Sequence, residues 1–334
     1  MNDTTRLGLT IGPLQYWWPR EATLRFYADL AESAADTIVL GEVTCSRRNE
    51  FSLSDWVALA RDLQSCGKTV RLATLPLLMS EAELRTMRRI AEQGEFAVEA
   101  GDAATLHAWA RQPHEQRPPL VLGPHLNIYS AEALQEHLQL GAAAADEAGG
   151  SQVQAWVPPL ELALDAVARV ANAAQLAQRQ QPQLDIELFA FGRMPLAFSA
   201  RCFTARHHRL AKDDCNFRCR DDADGLLLSS SEGEPFLALN GISTQSAALH
   251  CLLGREDIAA VHDAGVTRLR LSPCSRGFDE VLAQFDAVYN KGADAAQAGA
   301  ALAALPLPGR LVHGFAHRQP GMQPLILARE ALHA

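Results

Sequence analysis

A chain of 334 residues with 48% apolar and 21% charged side chains can build one large domain or two ordinary ones, and its make-up is neither disordered nor fibrous. A formal net charge of -9 and a pI near 5.7 argue against general nucleic-acid binding. The seven cysteines form no regular framework, and no export signal or membrane-length apolar run is evident. Reduced thiols, a cytoplasmic setting and metal ligation are therefore expected.

Residues 7–12 read as a short buried strand, and after a proline-bounded turn residues 21–33 carry helical apolar spacing. The alternation then repeats. Strands are expected at 37–41, 69–75, 96–99, 120–122, 152–157 and 186–191, and helices at 53–65, 81–93, 103–111, 131–141 and 160–180. Ser80 and Asp102 open two of these helices as N-caps. A strand at 266–271 and a helix at 279–290 supply an eighth unit. The predicted fold is thus α/β, a (β/α)8 TIM-barrel-like parallel barrel over residues 1–291. A doubly wound open sheet is the structural alternative.

Between units seven and eight lies a long insertion, 193–265. It holds a hairpin over 226–228 and 236–239, a turn at Asn240-Gly241, and an apolar run at 247–253 that reads as a helix containing Cys251. Residues 292–304 read as a linker or loose helix, and the tail from 305 onward as a segment docking on the barrel.

The insertion carries Cys202, Cys215 and Cys219 within eighteen residues, with twelve and then three residues between them. Cys215 and Cys219 can reach one ion or cluster, and the longer arm lets Cys202 fold back as a third ligand. Free cysteines ordinarily pack as small hydrophobes, but these lie in no apolar run. Arg201, Arg206, Arg209, Lys212, Arg218 and Arg220 outnumber Asp213 and Asp214 here. Such a basic setting suits a cubane cluster whose four cysteinates leave net negative charge. The fourth ligand comes from elsewhere. In a parallel barrel all strand C-termini share one rim, so Cys45, just past the second strand, is best placed to join the loop. Cys274, past the eighth strand, is the competitor, whereas Cys66 ends a helix on the opposite face.

A barrel active site would draw on the same rim. Its candidates are Tyr16, Trp17, Glu42, Glu99, His125, Asn127, Tyr129, Glu161 and Arg193. Of these His125, Asn127, Tyr129 and Glu42 are the catalytic candidates: His125 can act as acid or base or hydrogen-bond a phenolic substrate, and the aromatics can stack on a ring. The ordinary role of a loop histidine is structural, and His207 and His208 read as solvated.

The segments GEVTCSRR at 41–48, GPHLNIY at 123–129, PLAFSARCFTAR at 195–206 and LNGI at 239–242 resemble the U32 peptidase family, most closely its UbiV branch. The likeness runs from about residue 7 to 277. It implies a [4Fe-4S] cluster on Cys45, Cys202, Cys215 and Cys219, with iron-sulfur chosen over zinc. It also implies a heterodimer with a UbiU-like U32 protein, and oxygen-independent hydroxylation of the aromatic ring of a prenylated ubiquinone precursor. Two alternatives are a non-catalytic iron-sulfur subunit supporting UbiU and a U32-type RNA-hydroxylating enzyme. The acidic charge and the lack of an appended RNA-binding domain weigh against the second. No Gly-x-Ser-x-Gly elbow or His-Glu-x-x-His motif is present, so peptidase chemistry is not expected despite the family's name.

Overall fold

The computed structural model describes residues 6–141, 152–177 and 184–325. Strands β1 (Gly8–Ile11), β2 (Thr37–Leu40), β3 (Thr69–Ala73), β4 (Ala97–Ala100), β5 (Leu120–Leu122), β6 (Val153–Trp156) and β7 (Asp185–Phe198) follow one another around a parallel sheet. The helices α1 (Arg20–Ala31), α2 (Leu53–Ser65), α3 (Glu81–Ala91), α4 (Ala103–Ala110), α5 (Ala131–Gly141) and α6 (Leu164–Ala177) lie between them in sequence. After the insertion strands β8 (Leu226–Ser229), β9 (Pro235–Asn240) and β10 (Ser243–Cys251), helix α8 follows the short α7 (Phe203–His207) and spans Arg255–Asp263. Strand β11 (Arg268–Leu271) then pairs in parallel with both β1 and β7 and closes the eight-stranded barrel. Helices α9 (Phe278–Lys291) and α10 (Ala295–Ala303) and the strand β12 (Leu311–Val312) complete the described chain. Among the described residues no helix is long and apolar enough to cross a membrane.

The strand sequences explain where the core sits. In β11 the alternation Arg-Leu-Arg-Leu sends Leu269 and Leu271 outward into the barrel-to-helix core. There they join Leu9, Ile11, Ile38, Leu72, Tyr27, Trp109 and Phe285. Arg268 and Arg270 point inward, so the barrel is filled by an ionic network where branched aliphatics are usual. Glu187 is its centre. It takes hydrogen bonds from Arg71 (2.6 Å), Arg270 (2.7 Å) and the Thr10 hydroxyl (3.0 Å). Arg270 also grips Glu99 with both terminal nitrogens.

Four expectations are corrected and one alternative is decided. Residues 247–251 belong to β10, not to a helix; a continuous apolar run does not separate the two by periodicity. The seventh strand is far longer than 186–191, because β7 leaves the barrel and pairs antiparallel with β10 through irregular registers that accommodate Pro195. Where it leaves, Gly192 adopts φ +126°, and a Cβ there would lie 2.5 Å from that of Ser272. The 160–180 helix begins at Leu164, and its last three residues lie outside the described ones. The 292–304 stretch, read as a linker or loose helix, is a helix: Asp294 caps α10, which buries Ala295, Ala298 and Leu302. Finally, Arg193 is not at an open rim but is buried within β7, donating to the carbonyls of Ser246, Ala247 and Pro308. The tail reaches the barrel wall through β12, which pairs with β10, and residues 326–334 lie outside the description.

Burial alone would raise the Glu187 carboxyl, but Arg71, Arg270 and Arg268 hold it at about 2. A depressed carboxylate stabilises the fold above its unfolded value, and that stability is lost as pH falls from about 4.3 toward 2. Glu187→Gln should therefore lower stability by about 3–5 kcal/mol, because it strands buried guanidinium groups. Urea titrations at pH 7 and pH 3 should show the gap between variant and wild type narrowing at the lower pH.

Candidate metal centre and barrel mouth

Beyond β2 the chain turns at Gly41, whose φ of +127° and 2.8 Å approach of any Cβ to the Ala73 carbonyl require glycine. The Glu42 carboxylate then accepts the backbone N–H groups of Thr44 (2.7 Å) and Cys45 (2.9 Å) and winds the loop that presents Cys45. Arg48, 5% exposed, donates to the Gln15 carbonyl at 2.6 Å and to Asn240 Oδ1 at 2.5 Å. The same carbonyl accepts from the Thr44 hydroxyl and from Asn240 Nδ2, both at 2.8 Å. One backbone oxygen thus ties the β1 loop, the Cys45 loop and the β9–β10 turn together.

The cysteine loop is latched to this hub. The Phe203 N–H donates to the Gly241 carbonyl and the Gly241 N–H to the Thr204 hydroxyl, both at 3.0 Å. Cys202 opens α7, its sulfur accepting the Ala205 N–H at 3.4 Å. From the Cys45 side, Arg47 donates to the carbonyls of Lys212 and Asp213. Asn216 and Phe217 both take left-handed backbone angles, φ 46° and 53°, a cost of about 1–3 kcal/mol for each residue. Packing offsets it. The Phe217 ring meets Trp17 edge-on at 4.8 Å, and Arg47 and Arg220 lie over the same ring. Trp17 is thereby a packing residue, as is buried Tyr16.

The electrostatics of the thiols follow from this packing. Burial pushes Cys45, Cys202 and Cys219 up. Cys219 adds to the effect at Cys45, Cys45 and Cys215 add to it at Cys202, and Cys202 and Cys215 add to it at Cys219. Arg48 opposes the trend, its charge lowering both Cys45 and Cys219. Cys274 has a different environment: buried, donating to the Arg276 carbonyl, and pushed up to about 12 by burial and then by Asp224. Cys66 is an exposed helix cap and Cys251 a buried strand residue.

The catalytic candidates divide. His125 and Asn127 line an open cleft of about 250 Å³ with Glu161, Leu160 and 195–198, and the Tyr129 hydroxyl donates to Glu161 at 3.2 Å. The His125 ring meets Phe198 edge-on at 4.9 Å. Glu42 is not among them; it sits in the Cys45 loop and serves its backbone. Glu99 is committed to Arg270 inside the barrel. A small cavity of about 40 Å³ lined by Gln15, Glu99, His125 and Arg270 adjoins the cleft. Gln15 thus borders the mouth while its carbonyl serves the cysteine hub. Sequence reasoning missed Gln15, Arg48 and Asn240. Only the Arg47-Arg48 pair and the Asn240-Gly241 turn hinted at them.

Burial, helped by the Arg270 charge, pushes the His125 imidazole down to about 4. It is therefore neutral at physiological pH and can accept a proton or a hydrogen bond. In a proton-NMR titration its ring signals should stay fixed from pH 8 to 5 and move near pH 4. A midpoint near 6.5 would mean that the ring is solvated.

The model of peptidase family U32 matches residues 23–306. Among solved structures the chain is similar to an O-GlcNAc hydrolase of Thermobaculum terrenum at 15% identity and TM-score 0.35, spanning 89% of this chain and 63% of that one. It is also similar to the spore cortex-lytic enzyme SleL of Bacillus megaterium, at 10% identity and TM-score 0.35, spanning 81% and 71%. A third is the dihydropteroate synthase of Burkholderia cenocepacia, at 13% identity and TM-score 0.31, spanning 84% and 91%. With the family match covering most of its length, the chain belongs to the U32 peptidase family.

Proposed function

We propose that Cys45, Cys202, Cys215 and Cys219 hold a [4Fe-4S] cluster, and that the chain is the UbiV-type subunit of an oxygen-independent hydroxylase. Its partner would be a UbiU-like U32 protein and its substrate the aromatic ring of a ubiquinone precursor. The observation that carries the reading is the joining of the two cysteine-bearing loops: Cys45 stands just past β2, and Arg47 beside it donates to the carbonyls of Lys212 and Asp213 in the loop that carries Cys202, Cys215 and Cys219. Iron-sulfur is preferred to zinc on the likeness to the UbiV branch, and the basic loop around Cys202, Cys215 and Cys219 suits the net negative charge of four cysteinates.

The chain's own groups fit that charge. A cluster, when bound, supplies one-electron transfer. The Ala205 N–H donates to the Cys202 sulfur and the Arg48 charge favours the thiolates of Cys45 and Cys219; such groups stabilise added negative charge and raise the potential. Neutral His125 offers a proton acceptor at the mouth, and Phe198 an apolar edge for a ring. A structural role for the cluster is favoured by the Trp17–Phe217 contact, which makes the cysteine loop part of the barrel's packing.

Anaerobically purified protein should hold about four iron and four labile sulfide per chain. Alanine at Cys45, Cys202, Cys215 or Cys219 should lose most of the iron, whereas alanine at Cys66, Cys251 or Cys274 should keep it. One zinc with no sulfide would overturn the cluster.

Deleting the chain should abolish ubiquinone formation only without oxygen, and the chain should co-purify with a second U32 protein. Normal anaerobic ubiquinone in the deletion strain would remove the hydroxylase assignment and leave the cluster standing.

A further inference from the structure

A second set of ligating side chains meets where the tail crosses the head of α8. Glu256 and Asp257 stand in its first turn, His313 follows β12, and His317 ends the single helical turn after it. One ligand atom from each of Glu256, His313 and His317 lies within 4.8 Å of the others. His313 Nε2 is 3.8 Å from Glu256 Oε1, and its Nδ1 is 3.3 Å from Asp257 Oδ2. His317 Nε2 is 2.5 Å from Asp257 Oδ1. Donors on a tetrahedral zinc with bonds of 2.0–2.1 Å stand roughly 3.3 Å apart, so small side-chain shifts complete the shell. The two carboxylates balance a divalent cation.

Three further observations point the same way. Fully buried Asp257 accepts the Gly254 N–H at 2.5 Å and contacts His313 Nδ1. That is the carboxylate-histidine arrangement that orients a metal-binding imidazole. His250, which pairs with Val312 next to His313, is 5% exposed, and its Nδ1 has no hydrogen-bond partner. The turn bearing both histidines is held firmly. Gln319 N–H donates to the Gly314 carbonyl at 2.8 Å, and His313 N–H to that of Gln323 at 3.2 Å. A side chain at Gly314 would strike the Pro320 carbonyl. The His-x3-His spacing also occurs in zinc sites.

We infer that Glu256, His313 and His317, backed by Asp257, bind a divalent transition metal of the zinc class and clamp the tail to α8. The site is independent of the cysteine cluster, and the experiment reads the two separately. Full-length protein, reconstituted without oxygen and dialysed against micromolar zinc, should retain about one zinc per chain in addition to its iron. Glu256→Gln and His317→Ala should release that zinc and leave the iron unchanged, and Asp257→Asn should weaken zinc binding by about 10–100-fold. Glu256 is 45% exposed and takes no part in the contacts to Asp257, so its variant decides the matter even if the histidine variant misfolds. Cobalt bound in place of zinc should show ligand-field bands without thiolate-to-metal charge transfer. Wild-type protein that retains no zinc, zinc held equally by Glu256→Gln, or a thiolate band from cobalt would each overturn the site.

Discussion

The buried guanidinium of Arg48 is the constraint on which the rim depends. Its donors reach the Gln15 carbonyl and the Asn240 side chain, and its charge lowers Cys219, so it bears on the first unit, the hairpin and the cysteine loop together. A charge this deep persists only when its hydrogen bonds are met and opposite charge is near. Glu42, 3.9 Å away, supplies part of that charge, and a negatively charged cysteine centre would supply more. The corner and its ligand would thus stabilise each other, as a metal bound only by the folded state does.

Beneath this corner the ionic filling of the barrel plays the part that aliphatic layers play elsewhere. Glu187 binds Arg71, Arg268 and Arg270 from neighbouring and facing strands, and Arg270 reaches across to Glu99. Directional bonds of this kind specify the register of β11 against β7, and hence the height at which each strand delivers its loop. The field extends to the mouth, where burial, with the Arg270 charge adding to it, keeps His125 uncharged.

Much of this was legible in the residues. The bounds 53–65 for α2 could be read from apolar periodicity, and the structure shows Ser52 and Asp55 closing its start as a capping box. Parallel topology followed from alternation, and from it the sharing of one rim by Cys45 and the later loop. What escaped depends on long-range pairing. The 247–251 run became a strand only because β7 extends beyond the barrel to receive it, and nothing local announces that extension past Pro195. Glu42 and Arg193 looked like rim groups by position, yet their partners are backbone atoms that no motif encodes. The His313–His317 pair was invisible because its acidic partner Asp257 lies 56 residues before His313 and 60 before His317.

The closing strand has a consequence for synthesis. β11 pairs with β1 through Gly8 and Arg268 and with β7 through Glu187 and Arg268, so a nascent chain cannot shut its barrel until about residue 271 has left the ribosome. Cys45 and all three loop cysteines are by then already exposed. During that interval the emerging sheet has two unpaired edges and four reactive thiols, the kind of species that invites misassociation and oxidation. Delivery of any cofactor to this corner would therefore be timed against elongation, and a chaperone that shields the open sheet would protect the thiols as well.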